Sequence, residues 1–211
     1  TLGATVAAYV IALIFGLVLT LLRRTRLKPL KWLTVGFIEF VRSTPPLVQL
    51  FFLFYALPEI PYIGFSMSPF MTGALGLGIH YSTYVSEIYR SGIESIPKSQ
   101  WEASTALNFS RAQTWVKVIL PQAIPPVIPM LGNYLIVLFK ETPLLSAILV
   151  VEMLQTAKII GSETWRYLEP ITIVGLLFLL LSYPSSLLVQ YVEKRVKHGK
   201  GKQQTSKGVS L

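Results

Sequence analysis

Five stretches of this chain carry no charged side chain: residues 1–22, 43–58, 60–86, 118–139 and 170–192. A helix needs about 20 apolar residues to cross the hydrocarbon layer of a bilayer, so the five stretches read as five spans. The 43–58 stretch is the shortest, and its span is expected to start earlier, around Trp32 to Phe40. Charged residues make up 14% of the chain, against about a quarter in soluble domains, which supports the same reading. Segment 1–22 does not look like a secretory signal: no basic residue precedes its apolar core, and a basic cluster follows it. The chain opens on Thr1 rather than methionine, which points to a processed or missing N-terminus.

A net charge of +9 raises the question of nucleic acid, and the distribution of that charge argues against it. Arg23, Arg24, Arg26, Lys28 and Lys31 follow span 1. Arg90, Lys98, Arg111 and Lys117 lie between spans 3 and 4. Lys194, Arg195, Lys197, Lys200, Lys202 and Lys207 follow span 5. The opposite side holds only Lys158 and Arg166, a tally of fifteen against two. The basic side is therefore expected to be cytoplasmic, with the N-terminus outside and the C-terminus inside. There is no cysteine, which excludes disulfides and thiolate metal sites; there is no aspartate, so all ten acids are glutamates.

Span 1 is read as Leu2–Leu22 and span 2 as Leu33–Leu57. Glu39 and Arg42 are three apart on one helix face and are expected to pair. Ser43-Thr44-Pro45-Pro46 should kink or interrupt that helix. Span 3, Pro69–Tyr89, carries Gly73, Gly76 and Gly78, which favour close helix approach. Span 4 is expected to start near Pro125 and Pro126 and to run to Phe139, where Lys140-Glu141-Thr142-Pro143 breaks it. Span 5 is Pro170–Val192. The expectation is an all-α, polytopic membrane domain over residues 1–197, with a cytoplasmic loop at about 91–121 and a flexible basic tail at 198–211.

The loop has its own signature. Ser99-Gln100-Trp101-Glu102 has the form of a capping box, and Ser110-Arg111-Ala112-Gln113 is a second. Between them stands Asn108, the best non-glycine choice for the left-handed residue that ends a helix. A helix at about 100–107, a tight turn at Asn108-Phe109 and a helix from 111 to about 119 are predicted, with a bend at Pro121 into span 4.

This loop resembles that of the membrane permeases of ATP-binding-cassette (ABC) importers. Their signature is Glu-Ala-Ala, three residues, Gly, nine residues, Ile, one residue, Leu-Pro; here it reads Glu102-Ala103-Ser104, Asn108, Val118, Leu120-Pro121. FIEFVRSTPPLVQLFF (37–52), YVSEIYRSGIESIPKSQWEA (84–103), LPQAIPPVIPMLGNYLIVLFKETPLLSAI (120–148) and SYPSSLL (182–188) look like the polar amino-acid branch, which takes up histidine, glutamine or arginine. HYSTYVSEIYRSGIESIP and KIIGSETWRYLEPIT look closest to ectoine and hydroxyectoine permeases. The resemblance implies a type I ABC importer transmembrane domain in a bacterial cytoplasmic (inner) membrane. It implies a cytoplasmic ABC ATPase dimer, a second permease subunit and an extracytoplasmic solute-binding protein as partners, with ATP and magnesium bound by the ATPase and no cofactor in this chain. It makes Ser99, Gln100, Trp101, Glu102, Ala103, Ser104 and Asn108 the coupling helix that docks on that ATPase.

Polar groups inside a membrane are costly and point to function or to local pairing. Tyr81, Ser82, Ser86, Glu87, Asn133, Lys140, Glu141 and Thr142 are the candidates for a solute pathway. Glu87 can equally pair with Arg90. Lys140 and Glu141 can neutralise each other, touch a partner, or line a path for a zwitterion. The serines can bond backbone instead, and lone His80 reads as a packed neutral residue. A secondary transporter of a small zwitterion, driven by an ion gradient, is the alternative, although no internal repeat is visible. The chain has no Gly-rich phosphate loop, so the ATPase lies elsewhere; two separated histidines without aspartate or cysteine make an enzyme site poor.

Overall fold

The computed structural model describes residues 1–62 and 64–207, with side-chain surroundings through Val196. Helix α1 spans Leu2–Arg23, α2 Lys28–Ser43, α3 Pro46–Phe51, α4 Pro69–Glu94, α5 Lys98–Ala106, α6 Arg111–Gln113, α7 Leu120–Glu141, α8 Met153–Thr164 and α9 Leu168–Lys207. No strand occurs among the described residues.

The centre of the molecule is the seam between α1 and α4. On α1, Ala4, Ala8, Ala12 and Gly16 recur every fourth residue and are buried, so one face of the helix is almost bare backbone. A Cβ placed on Gly16 would stand 2.6 Å from Val85 Cγ1 and 3.0 Å from the Ser82 carbonyl. Small residues let two backbones come this close, which is how helices associate when no hydrophobic drive separates protein from lipid. Thr20 locks the inner part of the seam by donating to the Gly16 carbonyl (2.8 Å) and sharing a contact with Ser86 Oγ (3.2 Å). On another flank of α4, Gly73 meets Leu145 and Gly92 meets Val127, which seats α7 and the turn that follows it.

Three described helical stretches are long and apolar enough to cross a membrane: Leu2–Arg23, Arg111–Ile148 and Leu168–Val196. Helix α4 is 26 residues long, yet is not among them. The reason is its position. Thr72, His80, Ser82, Thr83 and Ser86 are all buried against other helices, so α4 meets protein where an outer helix would meet lipid. Helix α9 is the opposite case, with Leu168, Ile173, Leu180 and Leu188 exposed along its length. It touches the body through Phe178, whose ring lies 4.9 Å from that of Phe139.

The interruption expected at Ser43-Thr44-Pro45-Pro46 is present: α2 and the segment Pro46–Glu59 meet at 104°. Thr44 (φ −111°, ψ 140°) and Pro45 (ψ 136°) are extended, because a residue before proline is driven out of the helical region. The carbonyls freed by the break are recaptured: Gln49 Nε2 donates to Val41 O at 2.8 Å and Thr44 Oγ1 to Phe40 O at 3.0 Å. Span 4 does not begin at Pro125, and the chain does not bend away at Pro121; one helical run covers Arg111–Ile148. A π-helical segment, Thr114–Ile119, precedes Pro121 and loosens the backbone where proline supplies no donor. The expected break after Phe139 is present as a change from α7 to a 3₁₀ turn over Thr142–Ile148, closed by Leu149 in the left-handed region (φ 64°). Helix α8, which pattern reading did not anticipate, is capped by the buried Glu152 carboxylate through the Gln155 N–H at 2.8 Å. Helix α9 continues through Lys207 into the stretch read as a basic tail, and residues 208–211 of that stretch lie outside the described residues.

Candidate functional site

Two places carry the polar chemistry of this chain: the α5–α6 hairpin, and the wall where α2, α4 and α7 meet.

In the hairpin, α5 starts at Lys98 with Pro97 at its N-cap, so the expected Ser99 cap does not form. Pro97 already sits at the boundary with fixed φ (−56°), which places Ser99 inside the first turn and leaves Glu102 exposed. The C-terminal end agrees with expectation. Asn108 is left-handed (φ 55°), its N–H reaches Thr105 O (2.9 Å), and the Phe109 N–H reaches Ser104 O (3.0 Å). Those two bonds make a complete Schellman motif. The second capping box is also complete: Gln113 N–H donates to Ser110 Oγ (3.3 Å), and Ser110 N–H donates to Gln113 Oε1 (2.9 Å).

The hairpin is fastened to the body by its inner face. Trp101 meets Trp115 edge to face at 5.4 Å, and the Arg24 guanidinium lies 5.3 Å from the Trp115 ring centre. Gln122 Nε2 donates to Gln100 Oε1 at 3.1 Å. Ser104 is buried and bonds the Gln100 carbonyl (2.8 Å). Beneath them Ile96, Ile119 and Ala123 form a small core. The outer face therefore consists of Glu102, Ala103, Ala106 and the largely exposed Leu107. The seven residues expected to act together divide: Gln100, Trp101 and Ser104 hold the hairpin, Asn108 shapes it, and Ser99, Glu102 and Ala103 face outward.

The turn is open to a direct test. Asn108→Val is expected to lower stability by about 1–2 kcal/mol, since a β-branched residue resists the left-handed region, while Asn108→Gly stays near wild type. Thermal unfolding of the purified variants in detergent measures this; equal midpoints for valine and glycine would contradict it.

At the second place, the pathway candidates separate sharply. Ser82 (bonded to Ile79 O, 2.6 Å) and Ser86 lie fully buried in the α1–α4 seam. Thr142 is fully buried and bonds Phe139 O at 2.7 Å. Glu87 makes the expected pair with Arg90, and Arg23 Nη1 joins it at 3.0 Å; Arg90 also holds Glu94. This ion-pair network ties the end of α1 to α4. Tyr81 is buried, Glu141 is half-buried, and Asn133 and Lys140 are exposed. Lys140 and Glu141 form no ion pair with each other among the described residues, which removes the mutual-neutralisation reading. His80 is packed as expected, 3.1 Å from Gln49 Oε1 through Nδ1.

The expected Glu39–Arg42 pair is absent. Both side chains are exposed, and the Arg42 guanidinium lies 5.0 Å from the ring centre of Tyr84. The aromatic face, 42 positions away in the chain, outcompetes a carboxylate one turn back. Tyr84 in turn meets Tyr134 at 5.7 Å, and Tyr81 meets Tyr134 at 6.2 Å. Pattern reading missed Arg42, Tyr84 and Tyr134; the usable signals were the Tyr81–Tyr84 spacing on one helix face and the placement of Arg42 just before the double proline. A cation–π contact contributes about 0.5–2 kcal/mol, whereas arginine at the centre of a spanning helix costs about 2.5–3.5 kcal/mol on insertion scales. Among the described residues no cluster of three or more histidines or carboxylates is placed to hold a metal ion.

The family described as the binding-protein-dependent transport system inner membrane component matches residues 4–198. A protein of Sinorhizobium fredii named a probable amino-acid ABC transporter permease is 47% identical over 92% of this chain and 82% of its own length. A probable glutamine ABC transporter permease of Bacillus subtilis is 34% identical (93% and 90% covered), and an L-cystine transport system permease of the same organism 33% (93% and 83%). Among solved structures, an amino acid ABC transporter chain superposes with TM-score 0.86 at 35% identity, covering 92% of this chain and 89% of that one. A chain of the MetNI methionine ABC transporter shares the fold, with TM-score 0.62 at 18% identity over 90% of each chain. With the glycine-seamed helical body and the capped hairpin, these likenesses agree: the chain belongs to the family of binding-protein-dependent transport system inner membrane components and has the all-helical, type I ABC permease fold.

Proposed function

We propose that this chain is a permease subunit of an ATP-driven importer that carries a polar amino acid across the bacterial cytoplasmic membrane. The observation that carries the reading is the α5–α6 hairpin. Its inner face is bonded to the body, while its outer face presents Glu102 and Ala103, the first two positions of the signature. In this reading α5 is the coupling helix and docks in a groove of a cytoplasmic ABC ATPase, which binds the ATP and magnesium. The chain then crosses five times, through α1, the bent α2–α3 pair, α4, the α6–α7 run and α9, with the N-terminus outside and the basic C-terminus inside. A second permease subunit completes the path, and an extracytoplasmic binding protein delivers the solute. The amino-acid class is supported by relatives named for amino acids, glutamine and cystine. Ectoine and hydroxyectoine remain solutes worth testing on the strength of the sequence blocks alone. Of the pathway candidates, Tyr81, Asn133, Lys140 and Glu141 stay in place; Ser82, Ser86, Glu87 and Thr142 are given to helix packing.

The test is purification of the tagged chain from native membranes, with mass spectrometry of the proteins that accompany it. A cassette ATPase, a permease and a solute-binding protein are expected. A protein that purifies alone and transports on an ion gradient would replace this reading with the secondary transporter.

A further inference from the structure

Arg42 stands in the last turn of α2, at the 104° bend. The bend is held, not loose. Gln49 donates to Val41 O and Thr44 Oγ1 on one side, and its own Oε1 meets His80 on α4. The guanidinium is therefore aimed at a fixed place, over the face of Tyr84, and no carboxylate among the described residues pairs with it. Tyr84 is 15 residues into the 26-residue helix α4, about 22 Å along it from Pro69.

The wall around it has unused hydrogen-bonding capacity. The hydroxyls of Tyr9 and Tyr55 are bonded to carbonyls, but those of Tyr81, Tyr84 and Tyr134 have no partner among the described residues. None of the three hydroxyls is sealed in the interior, so they open onto accessible space. An unpaired guanidinium beside free phenols forms a donor-rich surface of positive sign, and its complement is an anion with two oxygens in a plane. Arginine presents parallel N–H groups that match a carboxylate in two bonds, which the point charge of lysine does not. The Tyr84 ring, 5.0 Å from the guanidinium carbon, helps to hold the fork in place.

We propose that Arg42 anchors the carboxylate of the transported solute, with the phenols of Tyr84 and Tyr134 donating beside it. This rests on the reading of the chain as an amino-acid permease. It adds an orientation: the solute's carboxylate end lies against the α2–α4 corner, and its remainder runs along the tyrosine wall toward α7.

The experiment uses the complete importer, reconstituted in vesicles, with labelled glutamine, arginine and cystine; the label imported by wild type is then used throughout. Arg42→Gln is expected to lower uptake by at least about 30-fold, and Arg42→Lys to restore no more than about a tenth of the wild-type rate. Equilibrium binding to the permease–ATPase complex without its binding protein separates anchoring from mere folding. The wild type is expected to prefer the amino acid over its α-amide by at least about tenfold, and Arg42→Gln to lose that preference. Uptake by Arg42→Gln within about twofold of wild type, or an unchanged preference for acid over amide, would overturn the proposal. Should the glutamine variant fail to assemble, Arg42→Lys and Tyr84→Phe decide it: full uptake in both overturns the anchor, and loss in either with normal assembly supports it. A wild-type complex that imports no amino acid defeats the proposed function together with this inference. Import by wild type with full activity in Arg42→Gln defeats the inference alone.

Discussion

Ala103→Trp is expected to abolish solute uptake, by about 100-fold or more, in a protein that still folds and inserts. Ala103 is exposed on the outer face of α5, so the body of the protein has no stake in its size. An exposed alanine-to-tryptophan change in a helix costs only a few tenths of a kcal/mol in propensity. In the coupling role proposed for α5, a partner groove shaped for a methyl group would not take an indole, because packed interfaces lose more by clash than they gain by area. Whatever ATP hydrolysis remains should no longer track uptake. Uptake assays beside hydrolysis assays in vesicles measure this, with assembly checked by co-purification. Unchanged uptake with normal assembly would remove α5 from the coupling role.

The second large effect belongs to the α1–α4 seam. Gly78→Leu is expected to leave almost no monodisperse protein. A Cβ at Gly78 already stands 2.6 Å from Ile11 Cγ2 and 3.0 Å from the Ala8 carbonyl. Ile11 Cγ2 can turn aside; Ile11 Cβ, at 2.7 Å, and the Ala8 carbonyl cannot, short of α1 moving. Overpacking by one carbon costs about 1–3 kcal/mol, and three further carbons exceed what the seam can absorb. Gly175→Leu is the control, since nothing lies within 4 Å of a Cβ there. Size-exclusion profiles of the two variants from solubilised membranes provide the comparison. A Gly78→Leu profile matching that of Gly175→Leu would show that the helices do not depend on this contact.

Local chemistry was legible in the chain. Asn108 announced a left-handed turn because few residues tolerate one, and the structure puts φ at 55°. Ser110 and Gln113 announced a helix start and both of their bonds are made. Ser99 and Glu102 carry the same pattern, but the box fails, since Pro97 begins the helix two residues before it. A capping motif fixes a boundary only where no stronger boundary precedes it. Position within the bundle was not legible. Helix α4 is poor in apolar surface because it is enclosed, and α9 is rich in it because it is not; each fact depends on neighbours that the sequence does not name. Arg42 illustrates the same limit. Its local partner was Glu39, its actual partner is Tyr84, and only the bend at Thr44-Pro45 brings that ring within reach.

The π-helical segment Thr114–Ile119 sits between the hairpin and α7. Such a segment is equivalent to one surplus residue taken up in a single wide turn, so the α-helix on either side keeps the phase it would have without it. Phase along this run is therefore a matter of counting. A deletion of one residue between 114 and 119 would restore ordinary winding and leave Gln122 against Gln100 and Tyr134 against Tyr84. The same deletion between Gln122 and Tyr134, where the winding is already ordinary, would rotate one contact against the other by about 100°. The hairpin contact and the tyrosine wall share one reading frame, and the wide turn is the place where that frame tolerates the loss of a residue.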